Sequence, residues 1–346
     1  MKKLSEKWFI KQAISNRREL ACKLRSTRRA NEFNQSKSIV FPHALTFQDA
    51  KSRTILINAI NKIRYTQDVD EPLYFDFNKV GLLFAPATIY FSHVLEQFQQ
   101  RKILSRASKK SNIVRAMLTK LGIHTHLGLQ PCYSKHEMVD WYTFSGTDLT
   151  FGKEYDEIEA VLAEKLGEET FLTVNDAISE AVSNVLNHAY ETHQRYLGWK
   201  MALRVTDKYL SLAISDLGKS IPKTVPDRID DHIMNRLSNT FNTQNILGMD
   251  DAQLIDIASE FRRSKTEEKH RGKGFGDMLE VCKNVKDSTL IVYSRQGVWA
   301  SDGQEYKKMV NYKDKIDGTI IFWKLPFNSP LPNQSVSSNV LGDGHE

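Results

Sequence analysis

Four short polar or glycine-rich elements between residues 175 and 326 constrain this chain most, because each lies on or next to an apolar helix or strand and they follow one another in a fixed order. The first is on NDAISEAVSNVLNHAYE, whose apolar spacing predicts a helix with Glu180, Asn184 and His188 on one polar face. A carboxylate one turn before an amide suits a site that hydrolyses a nucleotide. Glu180 can orient or deprotonate a water, and Asn184 can offer an oxygen to Mg²⁺.

The second element is a predicted hairpin, MALRVTDKYLSLAISDLGKSIP, with a turn at Asp207-Lys208 and a loop that begins at Asp216. A buried carboxylate at a strand end can accept a hydrogen bond from the amino group of adenine. Gly218 allows the backbone to approach the base closely. The Asp-x-Gly motif of Asp216 and Gly218 is also common in ordinary turns.

The third element, HRGKGFGDMLEVCKN, contains Gly272, Gly274 and Gly276 before a helix that is predicted to begin near Phe275. Backbone N–H groups in such a turn can face phosphate oxygens, and the helix dipole favours anions there. No strand precedes it in a βαβ unit, which disfavours a dinucleotide fold. The lysine-containing phosphate loop Gly-x-x-x-x-Gly-Lys-Ser/Thr is absent from the sequence.

The fourth element, DGTIIFWKLPF, indicates a turn at Asp317-Gly318 and an apolar strand from Thr319 to Pro326. Thr319 can add a hydroxyl beside the adenine. Each element alone occurs in many unrelated proteins. Their order along the chain therefore carries the interpretation.

In this order the elements resemble the ATP-binding boxes of the GHKL family, which includes gyrase B, histidine kinases and MutL. The matching motifs are Glu180-x-x-x-Asn184, Asp216-Leu217-Gly218, Gly272-x-Gly274-x-Gly276 and Gly318-Thr319. NHAYE is similar to the anti-sigma-factor kinase branch, and Ser220 replaces the second glycine of Asp-x-Gly-x-Gly. The resemblance implies an α+β two-layer sandwich over residues 155–328 that binds ATP and Mg²⁺.

The resemblance also implies residue roles. Glu180 is expected to be catalytic and Asn184 to bind Mg²⁺. The nucleotide is expected to contact Asn184, Asn187, His188, Asp216, Gly218, Ile221, Lys265, Arg271, Gly272, Lys273, Gly274, Phe275, Gly276 and Thr319.

The segment between Ile221 and Arg271 corresponds to the ATP lid of the family, and it contains a predicted helix from Asp250 to Phe261. A basic cluster stands just before and inside the glycine turn. Such cations can clamp a triphosphate, or they can form a solvated loop. The cluster consists of Arg262, Arg263, Lys265, Lys269, Arg271 and Lys273.

Residues 38–130 predict a small α/β domain. The expected elements are a strand over 38–47 that turns at Pro42, a helix over 48–65, a strand over 73–77, an apolar stretch that ends over 82–84, and helices over 88–100 and 111–121. LYFDFNKVGLLFAPATIYFSHVLEQF and SNIVRAMLTKLGI resemble a STAS domain of the anti-sigma-factor-antagonist type. The regulated Asp-Ser pair of that family corresponds to Phe84 and Ala85, which cannot carry a phosphate, although Thr88 is nearby.

The remaining segments differ in composition. Residues 1–37 predict a basic helical segment, since residues 1–40 hold 11 Lys or Arg against 3 acidic residues. This segment suits nucleic acid or an acidic partner, or it is an amphipathic helix with a partly buried face. Residues 131–154 are predicted to be an ordered connection, and residues 329–346 a disordered tail.

No apolar run approaches the ~20 residues of a membrane span, and the three cysteines fit neither a disulfide framework nor a zinc site. We therefore expect a cytoplasmic protein without membrane contact. The chain is expected to be an ATPase switch that controls a protein partner, with a homodimer as one arrangement. The alternatives are a serine/threonine kinase of the anti-sigma-factor type and a non-hydrolysing ATP sensor. His43, His93, His124 and His126 lack the context of a phospho-accepting histidine.

Overall fold

The structure is a computed structural model that describes residues 38–66, 71–226, 248–260 and 274–327. The chain divides into two compact units, residues 1–139 and residues 140–346. Several sequence-based predictions lie outside the described residues. These are the basic segment 1–37, the tail 329–346, the predicted helix end at Phe261, the whole basic cluster from Arg262 to Lys273, and with it the site residues Lys265, Arg271, Gly272 and Lys273.

The first unit alternates strands and helices. Its elements are β1 (Ile39–Val40), β2 (Ala44–Leu45), α1 (Ala50–Tyr65), β3 (Leu73–Asp76), β4 (Leu82–Leu83), α2 (Ala85–Gln97), β5 (Ile103–Arg106), α3 (Asn112–Lys120) and α4 (Ile123–His126). A three-stranded parallel sheet has the order β1-β3-β5, and β2 pairs with β4 in a second parallel pair. The predicted α/β character of this unit is therefore present.

An aromatic cluster forms the core of the first unit. The Phe41 ring stacks on Phe77 with 4.3 Å between centroids, and it meets Phe75 edge to face at 5.6 Å. Phe91 of α2 contacts the same cluster at 5.7 Å from Phe41. Large aromatic rings that pack in this way contribute much of the burial energy of a small domain.

Local signals explain where the helices of the first unit begin and end. The Asp49 carboxylate accepts a hydrogen bond from Ser52 N at 2.8 Å, and Ser111 Oγ accepts one from Val114 N at 3.3 Å, as N-caps do. Gly122 follows α3 with a φ of 74°. Helix α2 begins at Ala85 rather than at Thr88, because Pro86 is compatible with a first helical turn.

The second unit contains twelve further labelled elements along the chain. They are β6 (Tyr142–Gly146), α5 (Lys153–Leu166), α6 (Glu168–Asn184), β7 (Trp199–Val205), β8 (Tyr209–Asp216), α7 (Ile221–Thr224), α8 (Asp251–Glu260), α9 (Gly274–Asn284), β9 (Thr289–Ser294), β10 (Gly297–Ser301), β11 (Lys307–Asn311) and β12 (Thr319–Pro326). The strands form a seven-stranded sheet in the order β11-β10-β9-β12-β8-β7-β6. Each neighbouring pair is antiparallel.

Helices α5, α6 and α9 contribute to one core with the seven-stranded sheet. Leu162, Ile178 and Val281 from these helices share this core with Leu212 and Trp323 from the sheet. Helices that cover one face of an antiparallel sheet form an α+β architecture. The predicted α+β class is therefore confirmed for this unit.

Three buried tryptophans fix the sheet to its surroundings, and none is more than 1% exposed. The indole N–H of Trp199 donates to Asp148 O at 2.8 Å, that of Trp299 to Asp256 Oδ1 at 2.8 Å, and that of Trp323 to Met278 O at 2.9 Å. A buried indole N–H without an acceptor would cost free energy. The three hydrogen bonds therefore fix the loop at Asp148 and the helices α8 and α9 against the sheet.

Five strands and one long helix were not predicted from the sequence, namely β5, β6, β9, β10, β11 and α5. Strand β5 has the mixed sequence ILSR, and strand β6 lies within residues 131–154, which were expected to form a connection. Strand β6 pairs with β7 from Tyr142↔Leu203 to Gly146↔Trp199. Its hydrogen-bond partners are distant in sequence, so local patterning could not reveal it.

Candidate functional site

Asp216 occupies the end of β8 and is only 4% exposed. Its Oδ1 accepts a hydrogen bond from Gly218 N at 2.9 Å, and its Oδ2 accepts one from Thr319 N at 3.2 Å. Strand β12 pairs with β8 so that Ile320 faces Ser215, which brings Thr319 to the end of β8. The structure thus places the second and fourth predicted elements together.

Two glycines allow the backbone to pass close to this carboxylate. Gly318 has a φ of 74°, and a Cβ at this position would lie 2.3 Å from Asp216 O. A Cβ on Gly218 would lie 2.1 Å from Ala189 O. Neither contact is possible for a larger residue without movement of the backbone.

A buried serine that the sequence analysis did not identify completes this part of the site. Ser294 Oγ lies 3.0 Å from Thr319 Oγ1 and donates to Gly318 O at 3.1 Å. It also accepts a hydrogen bond from Ile221 N at 3.0 Å. Ser294 therefore connects the predicted residues Ile221 and Thr319. The local signal is weak, a serine that ends the apolar strand TLIVYS.

The end of α6 is fixed to the loop after Asp216. The helix continues into a π-helical turn over Val185–Ala189. Tyr190 OH donates to Gly198 O at 2.6 Å and accepts from Leu217 N at 2.7 Å. Lys219 N also donates to Ala189 O at 2.5 Å. Single π-helical turns occur frequently at functional sites, and this one holds the first two predicted elements side by side.

Glu180 and Asn184 lie one turn apart on α6, and both are partly exposed. Asn184 Nδ2 donates to Glu180 Oε1 at 3.2 Å. The Asn184 Oδ1 is then the atom it can offer to a cation. Among the described residues, no group of three or more His, Cys, Asp or Glu side chains could hold a metal. Mg²⁺ bound with a nucleotide needs only one or two protein oxygens in addition to phosphates and waters, so this pair fits it.

Asn187 and His188 lie in the π-helical turn and are exposed. The turn begins at Val185, so His188 does not continue the α-helical spacing of Glu180 and Asn184. Glu180 and Asn184 therefore share one helix face as predicted, whereas His188 does not lie in line with them. Asn187 Nδ2 donates to Ser183 Oγ at 3.0 Å.

Ser220 stands where the GHKL pattern has a second glycine. It is 2% exposed, and its Oγ has no hydrogen-bond partner among the described residues. It occupies the N-cap of the short helix α7 without a side-chain cap bond. Since buried hydroxyls are normally hydrogen-bonded, Ser220 is a group that a polar ligand could use.

The third predicted element begins helix α9, which packs against α6. Phe275 is 8% exposed and meets Trp299 edge to face at 5.3 Å. Its side chain therefore belongs to the core, and only its backbone can contribute to a phosphate site. Gly274 and Gly276 lie in the first turn of α9.

The helix predicted within the lid segment, α8, is fixed to the sheet. Asp251 Oδ2 accepts hydrogen bonds from Arg295 Nε at 3.2 Å and from Gln296 N at 2.9 Å. Asp256 Oδ1 accepts one from Trp299 Nε1 at 2.8 Å and lies 2.7 Å from Lys307 Nζ. Helix α8 is therefore packed on the sheet as part of the second unit, although it lies within the segment that corresponds to the lid.

Comparison with known proteins and inspection for membrane-spanning helices both give negative results. No protein-family model matches the sequence, and no curated protein matches it. Within the described ranges, no helix combines the length and the apolar character needed to cross a membrane.

Proposed function

We propose that the second unit binds Mg-ATP in a GHKL-type site, hydrolyses it, and controls a partner protein through its nucleotide state. The observation that supports this most strongly is the buried Asp216 carboxylate at the junction of three chain segments. Gly218 N and Thr319 N each use one of its oxygens. A carboxylate oxygen has two lone pairs, so a third donor such as an adenine amino group can still be accepted.

The roles of the other residues follow from chemistry and position. Glu180 is the general base that orients the attacking water, and Asn184 supplies an oxygen to Mg²⁺. The N-terminal turn of α9 directs backbone N–H groups and the positive end of a helix dipole toward phosphates. Packing of α6 against α9 supports this arrangement, because it brings the metal-binding pair and the phosphate-binding turn onto neighbouring helices.

A kinase acting on its own first unit receives no support from the geometry. Thr88 is 1% exposed and its hydroxyl donates to Phe84 O at 2.8 Å. Phe84 and Ala85 have no hydroxyl. A kinase function would therefore require an acceptor elsewhere, and it remains a distinguishable outcome of the test.

The test uses the full chain with Mg-ATP labelled on the γ-phosphate. Wild type is compared with Glu180→Gln and with Glu169→Gln, an exposed carboxylate in the first turn of the same helix. We expect wild type and Glu169→Gln to release free phosphate, and Glu180→Gln to bind ATP but release phosphate ~10²–10⁴-fold more slowly.

Other outcomes assign other functions. Label that moves to a protein would indicate a kinase, and ATP binding without release by wild type would indicate a sensor. Absence of ATP binding by wild type would refute the whole proposal.

A further inference from the structure

The two units have opposite charge. Residues 38–139 hold 13 Lys and Arg against 7 Asp and Glu, whereas residues 140–346 hold 24 against 32. The basic excess of the first unit belongs to residues outside the predicted ATP site. The predicted ATP site therefore does not account for this basic excess.

Lysines gather where the parallel strands β3 and β5 end. Asp76 pairs with Arg106 in the sheet register, so the loops that follow these strands are neighbours. Lys109 N donates to Asn78 O at 3.4 Å, which joins the two loops directly. The carboxyl edge of a parallel sheet is a common place for ligands.

The ammonium groups of the lysines on these loops are not neutralised by ion pairs among the described residues. Lys79, Lys109 and Lys110 are exposed, and none has an ion-pair partner among the described residues. The nearby Asp76 carboxylate lies 3.6 Å from Arg106, which compensates its charge. The loops therefore present net positive charge to the solvent.

Helix α3 begins directly after Lys110 and adds to this potential. It has nine residues, its N-cap is Ser111, and no acidic residue stands in its first turn. The N-terminus of a helix carries a partial positive charge and unpaired N–H groups. The partial positive charge at the N-terminus of α3 adds to the charge of the lysines.

An exposed aromatic residue follows a segment that contacts the same helix. Cys132 Sγ lies 3.7 Å from Asn112 O, and Cys132 N donates to Thr119 Oγ1 at 2.9 Å, so this segment runs along α3. The next residue, Tyr133, is 83% exposed. Such a ring contributes little to the core and offers its face to a planar ligand. Lys135 follows and is exposed as well.

We propose that this basic aromatic surface, formed by Lys79, Lys109, Lys110, Tyr133 and Lys135, binds single-stranded nucleic acid. Lysine ammonium groups contact backbone phosphates, and an exposed aromatic ring stacks on a base. An acidic protein would use the charges but not the ring, so the exposed Tyr133 favours nucleic acid. This inference is independent of ATP binding by the second unit.

The test measures fluorescence anisotropy of labelled 20-residue DNA and RNA single strands with the full chain at several salt concentrations. Wild type is compared with Lys109→Glu/Lys110→Glu and with Tyr133→Ala. The matched control is Lys51→Glu/Lys62→Glu, which changes the same charge at two exposed positions of α1. Circular dichroism checks that each variant is folded.

We expect wild type and the α1 control to bind alike. Lys109→Glu/Lys110→Glu should weaken binding ~10-fold or more at low salt and reduce the slope of log K against log salt by ~1.4. Tyr133→Ala should weaken binding ~5- to 150-fold. Equal affinity of wild type and the lysine variant, or no binding by wild type, would overturn the proposal.

Self-association gives one further decisive outcome. If wild type instead forms salt-sensitive oligomers that the lysine variant loses, the surface binds the acidic second unit of another copy. That result, with no effect of Lys109→Glu/Lys110→Glu on oligonucleotide binding, would also overturn the nucleic-acid proposal.

Discussion

At the residue scale, the candidate site depends on backbone groups that approach one carboxylate. Asp216 and Thr319 could be predicted from the sequence, because a polar residue at the end of an apolar strand and a Gly-Thr pair are local signals. Ser294 and Tyr190 could not, since their roles arise from hydrogen bonds to Gly318 O, Ile221 N and Leu217 N across the fold. Predicting them would require the strand order.

Gly318→Ala tests whether this close approach is required. A Cβ would lie 2.3 Å from Asp216 O, and the φ of 74° is unfavourable for alanine. We expect the second unit to lose more than ~1 kcal/mol of stability and ATP binding to weaken. The measurements are denaturant unfolding and titration with ATP.

Gly152→Ala is the matched control for this substitution. Gly152 has a φ of 80°, but a Cβ there would have no atom within 4 Å. This variant should show the cost of the backbone conformation without the clash, and it should bind ATP as wild type does. Equal effects of the two substitutions on ATP binding would contradict a steric requirement beside Asp216.

At the element scale, the sequence predicted most long elements well and short ones poorly. Helices α1 and α6, the hairpin β7–β8 and strand β12 show clear apolar periodicity, so they were predicted. Helix α5 and strands β5, β6, β9, β10 and β11 were not predicted. These strands have only four to six residues, and such short strands obtain their stability largely from the strands they pair with. Helix α8 was predicted, but its attachment to β10 and β11 depends on buried polar contacts that periodicity does not show.

Asp256→Ala tests how α8 is held. Asp256 is 2% exposed and accepts the indole N–H of Trp299. Its loss would leave a buried donor without a partner and create a small cavity, so we expect the free energy of unfolding of the second unit to fall by ~1–3 kcal/mol. Hydrogen exchange should increase in α8.

Lys307→Met separates the ion pair from the indole hydrogen bond. The Lys307 side chain is 41% exposed, but the Asp256 side chain is only 3% exposed, so Lys307→Met leaves a buried carboxylate without its cation and should cost ~1–3 kcal/mol. Denaturant unfolding of both variants provides the comparison. If Lys307→Met leaves the stability of the unit unchanged, the indole bond rather than the ion pair holds α8.

At the scale of the whole molecule, two units with separate cores imply separate responses to a change of conditions. The first unit contains His124, which is 1% exposed and lies 2.9 Å from Thr119 Oγ1 through Nδ1. Burial lowers the pKa of His124 below its usual value of 6.5. A hydrogen bond with the Gln130 backbone opposes this shift, and the nearby Arg115 charge acts in the same direction as burial. The folded first unit therefore favours the neutral imidazole.

This gives a pH-dependent difference between the units. Below pH 6.5 the unfolded chain takes up a proton at His124 before the folded chain does, so protonation stabilises the unfolded state. The stability contributed by the neutral imidazole is thus present above pH 6.5 and is lost as pH falls through that value. We expect acidification to lower the melting temperature of the first unit.

Scanning calorimetry between pH 7.5 and pH 5.5 checks this expectation, with Mg-ATP added to identify the second unit, because a ligand raises the melting temperature of the unit that binds it. His124→Gln removes the titrating group and should flatten the pH dependence of the first transition. His43→Gln, a change at an exposed position, is the comparison that shows whether loss of another imidazole of the first unit has the same effect. A first transition that shifts with pH equally in wild type and His124→Gln would show that other groups control the acid response of the first unit.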